Sequence, residues 1–283
     1  MNKFATILTV SALTIAGANA AVTAGNLLAF YDFNGSTNDG SGNGATGTLV
    51  DGAVISADGQ GYNGAPGNSA LDLGGASGNV VTDPHQRMTS TVNMSSATAN
   101  NSFALSFWQY NAGNGAGGNA QSSSFGIIST GADTRGIGSH APWSNGQLYF
   151  DHGGPCCGGA NRRNLTPPGG ATSLLDSWHH FVLQVDNGNK QIWLDGDMIN
   201  EQLTGAAAVP SFTNEVIVGA QFNSILSMPG RLDEFAIWDV ALDPSEIGAL
   251  AAGASTTSII PVPEPSSSLL ALLGGLLVVR RRR

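Results

Sequence analysis

The sequence has little charge and almost no lysine. Only 11% of its 283 residues are charged, whereas a typical soluble domain has about 25%. Five of the eleven Lys and Arg residues lie at the two ends of the chain, Lys3 and Arg280 to Arg283, and the formal net charge is −9. A surface that binds phosphates needs clustered basic residues, so the composition disfavours a nucleic-acid partner.

Cysteine is equally scarce. The chain has two, Cys156 and Cys157, which are adjacent and therefore exclude a scaffold of several disulfides. Their Cα atoms are about 3.8 Å apart, below the usual distance of about 4.4 to 6.8 Å for a disulfide. We expect oxidation after export to form a strained bridge between them at a rigid loop tip. Free thiols or intermolecular bridges are the alternative.

The body of the chain, residues 21–255, consists of short alternating apolar runs separated by Gly, Asn, Asp and Ser. This pattern predicts β-strands. We predict strands at residues 27–33, 102–110, 125–130, 146–151, 178–185, 191–194, 215–220 and 231–240. Because no helices alternate with these strands, the pattern favours an antiparallel sandwich over a parallel sheet.

One short helix is predicted near the end of the body. Asp243 can cap it, Pro244 suits the first helical position, and Glu246 stands three residues after the cap, as in a capping box. Leu242 and Ile247 can form the accompanying hydrophobic staple. We expect this helix to be structural.

The first twenty residues have the pattern of a secretory signal peptide. Lys3 supplies the positive start, residues 4–15 are apolar, and Ala18-Asn19-Ala20 is a small-residue cleavage site. The apolar stretch is too short to span a bilayer. We therefore expect export and a mature chain that begins at Ala21.

The other end carries a second signal. Residues 256–265 form a linker that ends in Pro263-Glu264-Pro265, and residues 266–283 hold an apolar run and the cluster Arg280, Arg281, Arg282 and Arg283. The apolar run, residues 269–279, makes a helix of roughly 16 Å, short of the bilayer core of about 30 Å. The arginines would hold the C-terminus on the cytoplasmic side. A short anchor in a thinned bilayer is the alternative.

This ending closely resembles the PEP-CTERM sorting signal of Gram-negative bacteria, which an exosortase processes. The resemblance implies transient association with the inner membrane through the hydrophobic helix. It also implies removal of the tail near residues 263–265. The final location would be the cell envelope or the extracellular polymer matrix.

Three segments of the body resemble laminin-G-like, concanavalin A-like jelly-roll domains. Residues 178–182 (WHHFV) with 194–196 (LDG) resemble that family's WHHV…VDG hairpin. Residues 230–238 (GRLDEFAIW) resemble its final strand, and residues 31–35 (YDFNG) its first. The resemblance implies an all-β, antiparallel two-sheet jelly-roll sandwich over residues 21–255, with one short C-terminal helix. Residues 111–168 match no part of the pattern.

A calcium site is one hypothesis for this domain. Strand alternation places Asp233 in phase with Phe235 and Ile237, and a carboxylate on that face needs a cation or good hydrogen bonds. The resemblance implies a structural Ca²⁺ in some family members, tying the first and last strands together. Our candidate ligands are Asp32, Asn34, Asp39 and Asp233, since calcium prefers oxygen. Asn and Asp side chains that only form turns are the alternative.

Candidate ligand-binding residues are aromatic or basic. Sugars pack their C–H faces on aromatic rings, and we select Trp143, which lies in a loop, and Trp193, whose phase opposes that of its apolar neighbours. Arg162 and Arg163 can bind hydroxyls or an acidic sugar. The loop tip at Cys156 and Cys157 offers an apolar contact.

The acidic residues do not favour catalysis. Glycoside hydrolysis usually needs two carboxylates at one sugar bond, and related glucanases carry them in an E-x-D-x-x-E motif, which no Glu of this chain begins. We therefore predict an exported, non-catalytic protein that binds a glycan, such as exopolysaccharide, or another matrix component. The alternatives are a glycoside-active enzyme on the same fold and a purely structural matrix component.

Overall fold

The computed structural model describes residues 21–74, 85–114, 117–130, 135–153, 159–203 and 205–261. These residues form an all-β sandwich with short helices. The strands are β1 (Leu27–Tyr31), β2 (Thr48–Val50), β3 (Val54–Ile55), β4 (Leu71–Asp72), β5 (Arg87–Thr91), β6 (Phe103–Asn111), β7 (Phe125–Ser129), β8 (Arg135–His140), β9 (Leu148–His152), β10 (Arg162–Leu165), β11 (Trp178–Asp186), β12 (Asn189–Leu194), β13 (Asp197–Gln202), β14 (Phe212–Val218) and β15 (Gly230–Trp238). The α-helices are α1 (Ser95–Asn100) and α2 (Pro244–Ala251), and 3-10 turns lie at Ala24–Asn26, Gly159–Asn161 and Thr256–Ile259.

The strands form two sheets. The first has the order β13-β12-β11-β6-β15-β4-β3, and β1 also pairs with β15. The second has the order β10-β9-β8-β7-β14-β5-β2. Neighbouring strands in both sheets are antiparallel, and several neighbours, such as β6 and β15, are far apart in the chain. The predicted antiparallel two-sheet jelly-roll sandwich is confirmed.

All eight predicted strands are present, with ends that shift by up to three residues. The hairpin of β11 and β12 pairs Asp186 with Asn189 across Asn187 and Gly188, which have φ angles of 46° and 82°. A two-residue turn of this kind needs positive φ at both central positions, so the Asn-Gly pair fixes the register. Sequence analysis missed β2 to β5, β8, β10 and β13, which are short or rich in Gly, Ser, Thr and polar residues.

The predicted C-terminal helix is confirmed as α2. The Asp243 carboxylate accepts hydrogen bonds from the backbone N–H groups of Ser245 (2.7 Å) and Glu246 (2.8 Å). Glu246 Oε2 accepts one from the N–H of Asp243 (2.8 Å), which completes the capping box. The polar segment of α1 forms a second short helix, which the sequence pattern does not predict.

The main core lies between the two sheets and is built from phenylalanine rings. Phe107 on β6 is central: its ring centroid lies 5.8 Å from that of Phe125, 5.4 Å from that of Phe181 and 5.7 Å from that of Phe235. These four residues come from both sheets. The core therefore holds the sheets together through ring contacts that contribute beyond their buried area.

A second apolar cluster covers part of the outer face of the first sheet. Val22, Leu27, Trp193, Trp238 and Ile247 are among its buried members, and the partly buried Ile259 and Ile260 pack against it. The N-terminal residues, α2 and the residues after α2 therefore shield this face. In the part of the chain that the structure describes, no helix is both long and apolar enough to cross a membrane.

Candidate functional site

Polar and aromatic side chains meet on the outer face of β8, β9 and β10, at one side of the second sheet. Along β9, Leu148 and Phe150 point into the core, so Tyr149 and Asp151 point outward. The cross-strand partners of these two outward residues lie on the same face: His140 on β8 and Asn164 on β10 beside Tyr149, and Arg162 on β10 beside Asp151. We call these residues, together with Trp143 of the β8–β9 loop, the β8–β10 face.

Aromatic rings and a guanidinium contact one another in a row on this face. The ring of the half-buried Trp143 has its centroid 4.5 Å from that of His140, and His140 lies 5.9 Å from Tyr149. The guanidinium carbon of Arg162 lies 4.7 Å from the centroid of the Tyr149 ring. Contacts of this kind between a cation and a ring face are attractive. The row therefore joins the partly exposed Trp143, Tyr149 and Arg162 through direct contacts and through the buried His140.

Amide side chains line the row beside Tyr149. Its hydroxyl accepts a hydrogen bond from Asn145 Nδ2 (2.8 Å) and donates one to Gln147 Oε1 (3.0 Å). Asn164 Nδ2 donates to the same Gln147 oxygen (2.9 Å). Each amide has two donor hydrogens and an acceptor oxygen. These groups can therefore exchange bonds among themselves for bonds to a hydroxyl-rich ligand.

Asp151 is the charged centre of the face. It is 4% exposed, accepts a hydrogen bond from Arg162 Nε (2.5 Å) on Oδ1 and bonds Arg162 Nη2 through Oδ2. Arg135 Nη1 lies 3.6 Å from Asp151 Oδ2, and its guanidinium stacks on the Phe222 ring. The two-bond pair holds the guanidinium of Arg162 in a fixed plane. The hydrogen bonds to Asp151 raise the pKa of Arg162 above its ordinary value.

His140 contributes a neutral ring to the row. Its Nδ1 lies 2.7 Å from the carbonyl oxygen of Ser122, so this nitrogen carries the proton, and it lies 3.0 Å from the Ser123 hydroxyl. Burial lowers the pKa of His140 to about 4. At neutral pH the imidazole is therefore uncharged. Its plane is tilted by 59° to that of Trp143 and by 82° to that of Tyr149.

The loop between β14 and β15, which contains Phe222, borders the face. A Cβ atom at Gly126 on β7 would collide with the backbone of Phe222, so only glycine allows this close approach. Gly126 pairs with Gly138 on β8, next to Asp151. The two glycines keep the floor of this region free of side chains.

Of the two predicted tryptophan platforms, only Trp143 lies on an accessible surface. The prediction that Trp193 is a surface residue is wrong, because this side chain is 8% exposed and belongs to the second apolar cluster. Its Nε1 donates to Gln191 Oε1 at 3.1 Å. The strand phase was read correctly, but α2 and the N-terminal residues cover the outer face of the first sheet.

The two predicted arginines point in opposite directions. Arg162 joins the β8–β10 face, whereas Arg163 Nε donates to Asn200 Oδ1 (2.8 Å) and its Nη2 to the Glu201 carbonyl (3.1 Å) on β13. Arg163 therefore links the edges of the two sheets. Cys156 and Cys157 lie outside the described residues, as do the sorting-signal residues Pro263, Glu264, Pro265 and Arg280 to Arg283.

Asp39, one of the candidate calcium ligands, is fully engaged by its own loop and by β1. Oδ1 accepts the N–H groups of Phe30 (3.0 Å) and Ser41 (2.9 Å), and Oδ2 accepts the Ser41 hydroxyl (2.8 Å) and the Ala45 N–H (3.0 Å). Burial raises the pKa of Asp39, but these hydrogen bonds outweigh it and leave that pKa below its usual value. Its contacts are those of a loop-stabilising carboxylate.

Asp233 lies in a different environment. It is 0% exposed and accepts the N–H groups of Tyr62 (3.0 Å) and Glu234 (2.8 Å). Burial raises the pKa of Asp233 to about 7 and that of Glu234 to about 7, and the negative charge of Asp32 also acts on Glu234. These carboxylates are thus close enough to repel one another. The described residues nevertheless include no group of three or more His, Cys, Asp and Glu side chains arranged to hold a metal ion.

Asn34, the fourth candidate ligand, accepts the backbone N–H of Ser69 (2.9 Å) through Oδ1. This bond joins the loop after β1 to the segment before β4. Asp32 belongs to the same loop, and its Oδ1 accepts the backbone N–H of Asn34 (3.1 Å).

Two of the predicted residues, Trp143 and Arg162, lie on the β8–β10 face, whereas His140, Asp151 and the amide side chains of this face were not among the predicted residues. The alternation in the predicted strand at residues 146–151 placed Tyr149 and Asp151 in one phase. What the sequence does not show is that β8 and β10 flank this strand, because that pairing depends on the whole sheet.

Comparisons with known proteins agree with the fold. A family model, Laminin_G_3, described as "Concanavalin A-like lectin/glucanases superfamily", matches residues 83–248. The search of curated proteins finds no match.

Similar solved structures are mainly binding domains. The binding domain of botulinum neurotoxin serotype D has a TM-score of 0.58 at 12% identity, with 82% of this chain and 52% of that chain covered. Domain 4 of AbnA, an extracellular GH43 arabinanase from Geobacillus stearothermophilus, in complex with arabinotriose, has a TM-score of 0.55 at 19% identity, with 80% of this chain and 98% of that chain covered. The chain thus spans about half the length of the neurotoxin chain and nearly all of the arabinanase domain.

Proposed function

Because the chain belongs to the concanavalin A-like lectin/glucanases superfamily, we propose that it is an exported, non-catalytic protein that binds glycan through the β8–β10 face. The observation that carries this proposal is the row of contacting side chains Trp143, His140, Tyr149 and Arg162, bordered by amide side chains. The expected ligand is a polysaccharide of the cell envelope or of the surrounding matrix.

The chemistry of the face matches that of a sugar. The ring faces can pack against sugar C–H groups, while the amides and the guanidinium can bond to hydroxyls. The polar groups already hold one another in place through Asn145, Gln147 and Asn164, which lowers the cost of ordering them on binding. The glycan class is also supported by the arabinanase domain, which is described in complex with arabinotriose.

The absence of catalysis is part of the proposal. Glycoside hydrolysis needs two carboxylates, about 5 to 9 Å apart, on either side of one bond. On the β8–β10 face, among the described residues, Asp151 is the carboxylate, and both its oxygens bond Arg162. This arrangement suits a binding site better than an acid–base pair.

A binding experiment tests the proposal. The exported protein is screened on an array of neutral and acidic oligosaccharides, and the best ligand is titrated calorimetrically. Trp143→Ala should weaken binding at least tenfold. Trp178→Ala, a half-buried tryptophan on the outer face of the first sheet, is the matched control and should bind normally. Absence of binding to every glycan would favour a purely structural protein, and release of sugar would favour an enzyme.

Export and sorting belong to the same proposal. The leader at residues 1–20 and the PEP-CTERM-like tail support secretion, processing by an exosortase, transient attachment to the inner membrane and delivery to the envelope or matrix. The intact mass of the secreted species tests this point. A mass that corresponds to an N-terminus at Ala21 and a C-terminus near Pro265 is expected, and an uncut cytosolic chain would contradict it.

We also propose one structural Ca²⁺ near Asp32, Asn34 and Asp233. The support is the buried pair Asp233 and Glu234, with the charge of Asp32 acting on Glu234, because a cation would offset this negative charge. Bound there, the ion would tie the loop after β1 to β15. Asp39 does not belong to this set, because its four hydrogen bonds already satisfy it.

A further inference from the structure

Lys190 is a fully buried lysine that no part of the proposed binding row uses. The chain has two lysines, and the other, Lys3, precedes the described residues. Lys190 lies on β12 of the first sheet, is 0% exposed and points into the core, in phase with Ile192. Its Nζ donates to the carbonyl oxygens of Phe150 (3.0 Å) and Asn161 (2.9 Å). The side chain therefore crosses from the first sheet to the second.

The two carbonyl groups belong to the residues directly before the two members of the ion pair. Phe150 directly precedes Asp151 on β9, and Asn161 directly precedes Arg162 on β10. Asp151 and Arg162 are cross-strand partners and form the two-bond ion pair on the opposite side of the sheet. Lys190 thus holds, from inside the sandwich, the two backbone segments that present this pair outside.

The segment that Lys190 contacts leads into β10, an edge strand. Among the described strands, β10 is the last of the second sheet, and its one strand neighbour is β9. Arg163 provides a second link to the first sheet through Asn200 and Glu201 of β13. Just before Arg162, the Lys190 bond to the Asn161 carbonyl and the bond from the Ala207 N–H to the Ala160 carbonyl (3.2 Å) tie the chain to neighbouring segments.

We propose that Lys190 is a positioning residue for the β8–β10 face: it fixes β10 against β9 so that Arg162 stays paired with Asp151 and stacked on Tyr149. This inference rests on the proposed glycan-binding function only for its effect on affinity. The effect on the position of β10 is independent of any ligand.

The protonation of Lys190 adds a second consequence. Burial lowers the pKa of Lys190 to about 7; Asp151 opposes this shift, while Arg163 and Arg162 favour it. His152 on β9 also faces it, and the residue opposite on β13 is the uncharged Gln202. An ammonium makes stronger hydrogen bonds to carbonyl groups than a neutral amine does. We therefore expect the hydrogen bonds from Lys190 to the Phe150 and Asn161 carbonyl groups to weaken as the pH rises through about 7.

Hydrogen exchange measured by mass spectrometry on the whole exported protein tests the positioning role. Lys190→Met keeps the apolar stem and removes the ammonium. Exchange in β10 should become at least tenfold faster, with little change in β11. Ile192→Met, at the next inward position of β12, is the matched control and should leave β10 unchanged. A uniform acceleration of all strands, or none, would overturn the proposal. Should Lys190→Met not fold, Lys190→Gln, which also lacks the ammonium, replaces it with the same expected selectivity.

Affinity and pH provide a readout that general destabilisation would not move. For the glycan bound by the wild type, Lys190→Met should weaken binding at least tenfold. The wild-type affinity should fall between pH 6 and pH 8, and this slope should disappear in the variant. Unchanged affinity with an unchanged slope would overturn the role in binding. If the wild type binds no glycan, the proposed function fails, and the exchange experiment still decides the role of Lys190.

Discussion

Arg162 bonds both oxygens of Asp151 across β10 and β9 while its guanidinium stacks on Tyr149. One side chain thus joins the buried carboxylate to the surface row. Making two bonds to Asp151 while lying on the Tyr149 ring requires a planar group with several N–H donors. Guanidinium has this shape and the lysine ammonium does not.

Arg162→Lys should accordingly disrupt the face although it keeps the charge. The ammonium can bond one Asp151 oxygen but cannot also lie flat on the Tyr149 ring. We expect a tenfold or greater loss of glycan affinity in calorimetric titration. Arg231→Lys, which changes an ion pair with Asp72 on the first sheet, is the control. Equal affinities for Arg162→Lys and wild type would show that the planar guanidinium is dispensable.

Asp151→Asn should destabilise the fold. The substitution leaves Arg162 and Arg135 beside a neutral group in a largely buried position, and the lost charge-assisted bonds are worth about 1.5 to 3 kcal/mol. Urea unfolding would measure the difference. Asp186→Asn, in the β11–β12 hairpin, should change stability by less than about 0.5 kcal/mol. A similar loss in both variants would contradict the special role of Asp151.

Calcium removal should lower the melting temperature by several degrees if the ion binds only the folded protein. The proposed site predicts that Asp233→Asn abolishes this shift and lowers the metal content. Asp39→Asn should lower the melting temperature equally with and without chelator, because Asp39 stabilises its loop through hydrogen bonds. A chelator-insensitive wild type, with no metal by elemental analysis, would remove the site.

Acid should weaken the fold through its buried histidines. Burial lowers the pKa of His152 to about 3, while an unfolded histidine has a pKa of about 6.5. The unfolded chain therefore binds more protons, so this contribution is present above pH 6.5 and is lost as the pH falls toward 3. His152→Gln, which keeps a donor toward the Ala207 carbonyl, should show a smaller loss in free energy of unfolding between pH 7 and pH 5. Subtracting the free energy of unfolding of the variant from that of the wild type at each pH removes the contribution of groups that titrate alike in both. Identical pH dependence in the two proteins would contradict the role of His152.

The cap of α2 offers a local test of stability. Asp243→Ala removes the acceptor for two backbone N–H groups and should cost about 1 kcal/mol in chemical denaturation. Ser245→Ala is the matched control, because its hydroxyl bonds the same carboxylate without capping the helix. A cost for Ser245→Ala equal to that for Asp243→Ala would argue against the cap.

The parts of this protein that follow local rules could be predicted from the sequence. The Asp243 cap and the Asn187-Gly188 turn are encoded within a few residues, and the apolar strands show a clear period of two. By contrast, β8 contains three polar residues and two glycines among its six residues, so its alternation is invisible.

The error at Trp193 has a different cause. Alternation gives the face of a strand on which a side chain lies, but not whether that face is covered. Here Val22 and Ile247, from opposite ends of the chain, bury it. The Arg162–Asp151 pair was missed for a related reason, since its partners lie on different strands and meet only when β10 adds to β9.

The second apolar cluster also fixes where the two ends of the described chain lie relative to the β8–β10 face. Val22 near the first described residue and Ile259 and Ile260 near the last both pack on the outer side of the first sheet. The β8–β10 face lies on the outer side of the other sheet, across the full thickness of the sandwich. If the proposed C-terminal tail tethers the protein to the membrane, the first sheet would face the membrane. The β8–β10 face would then point toward the medium, where it is accessible to a polysaccharide.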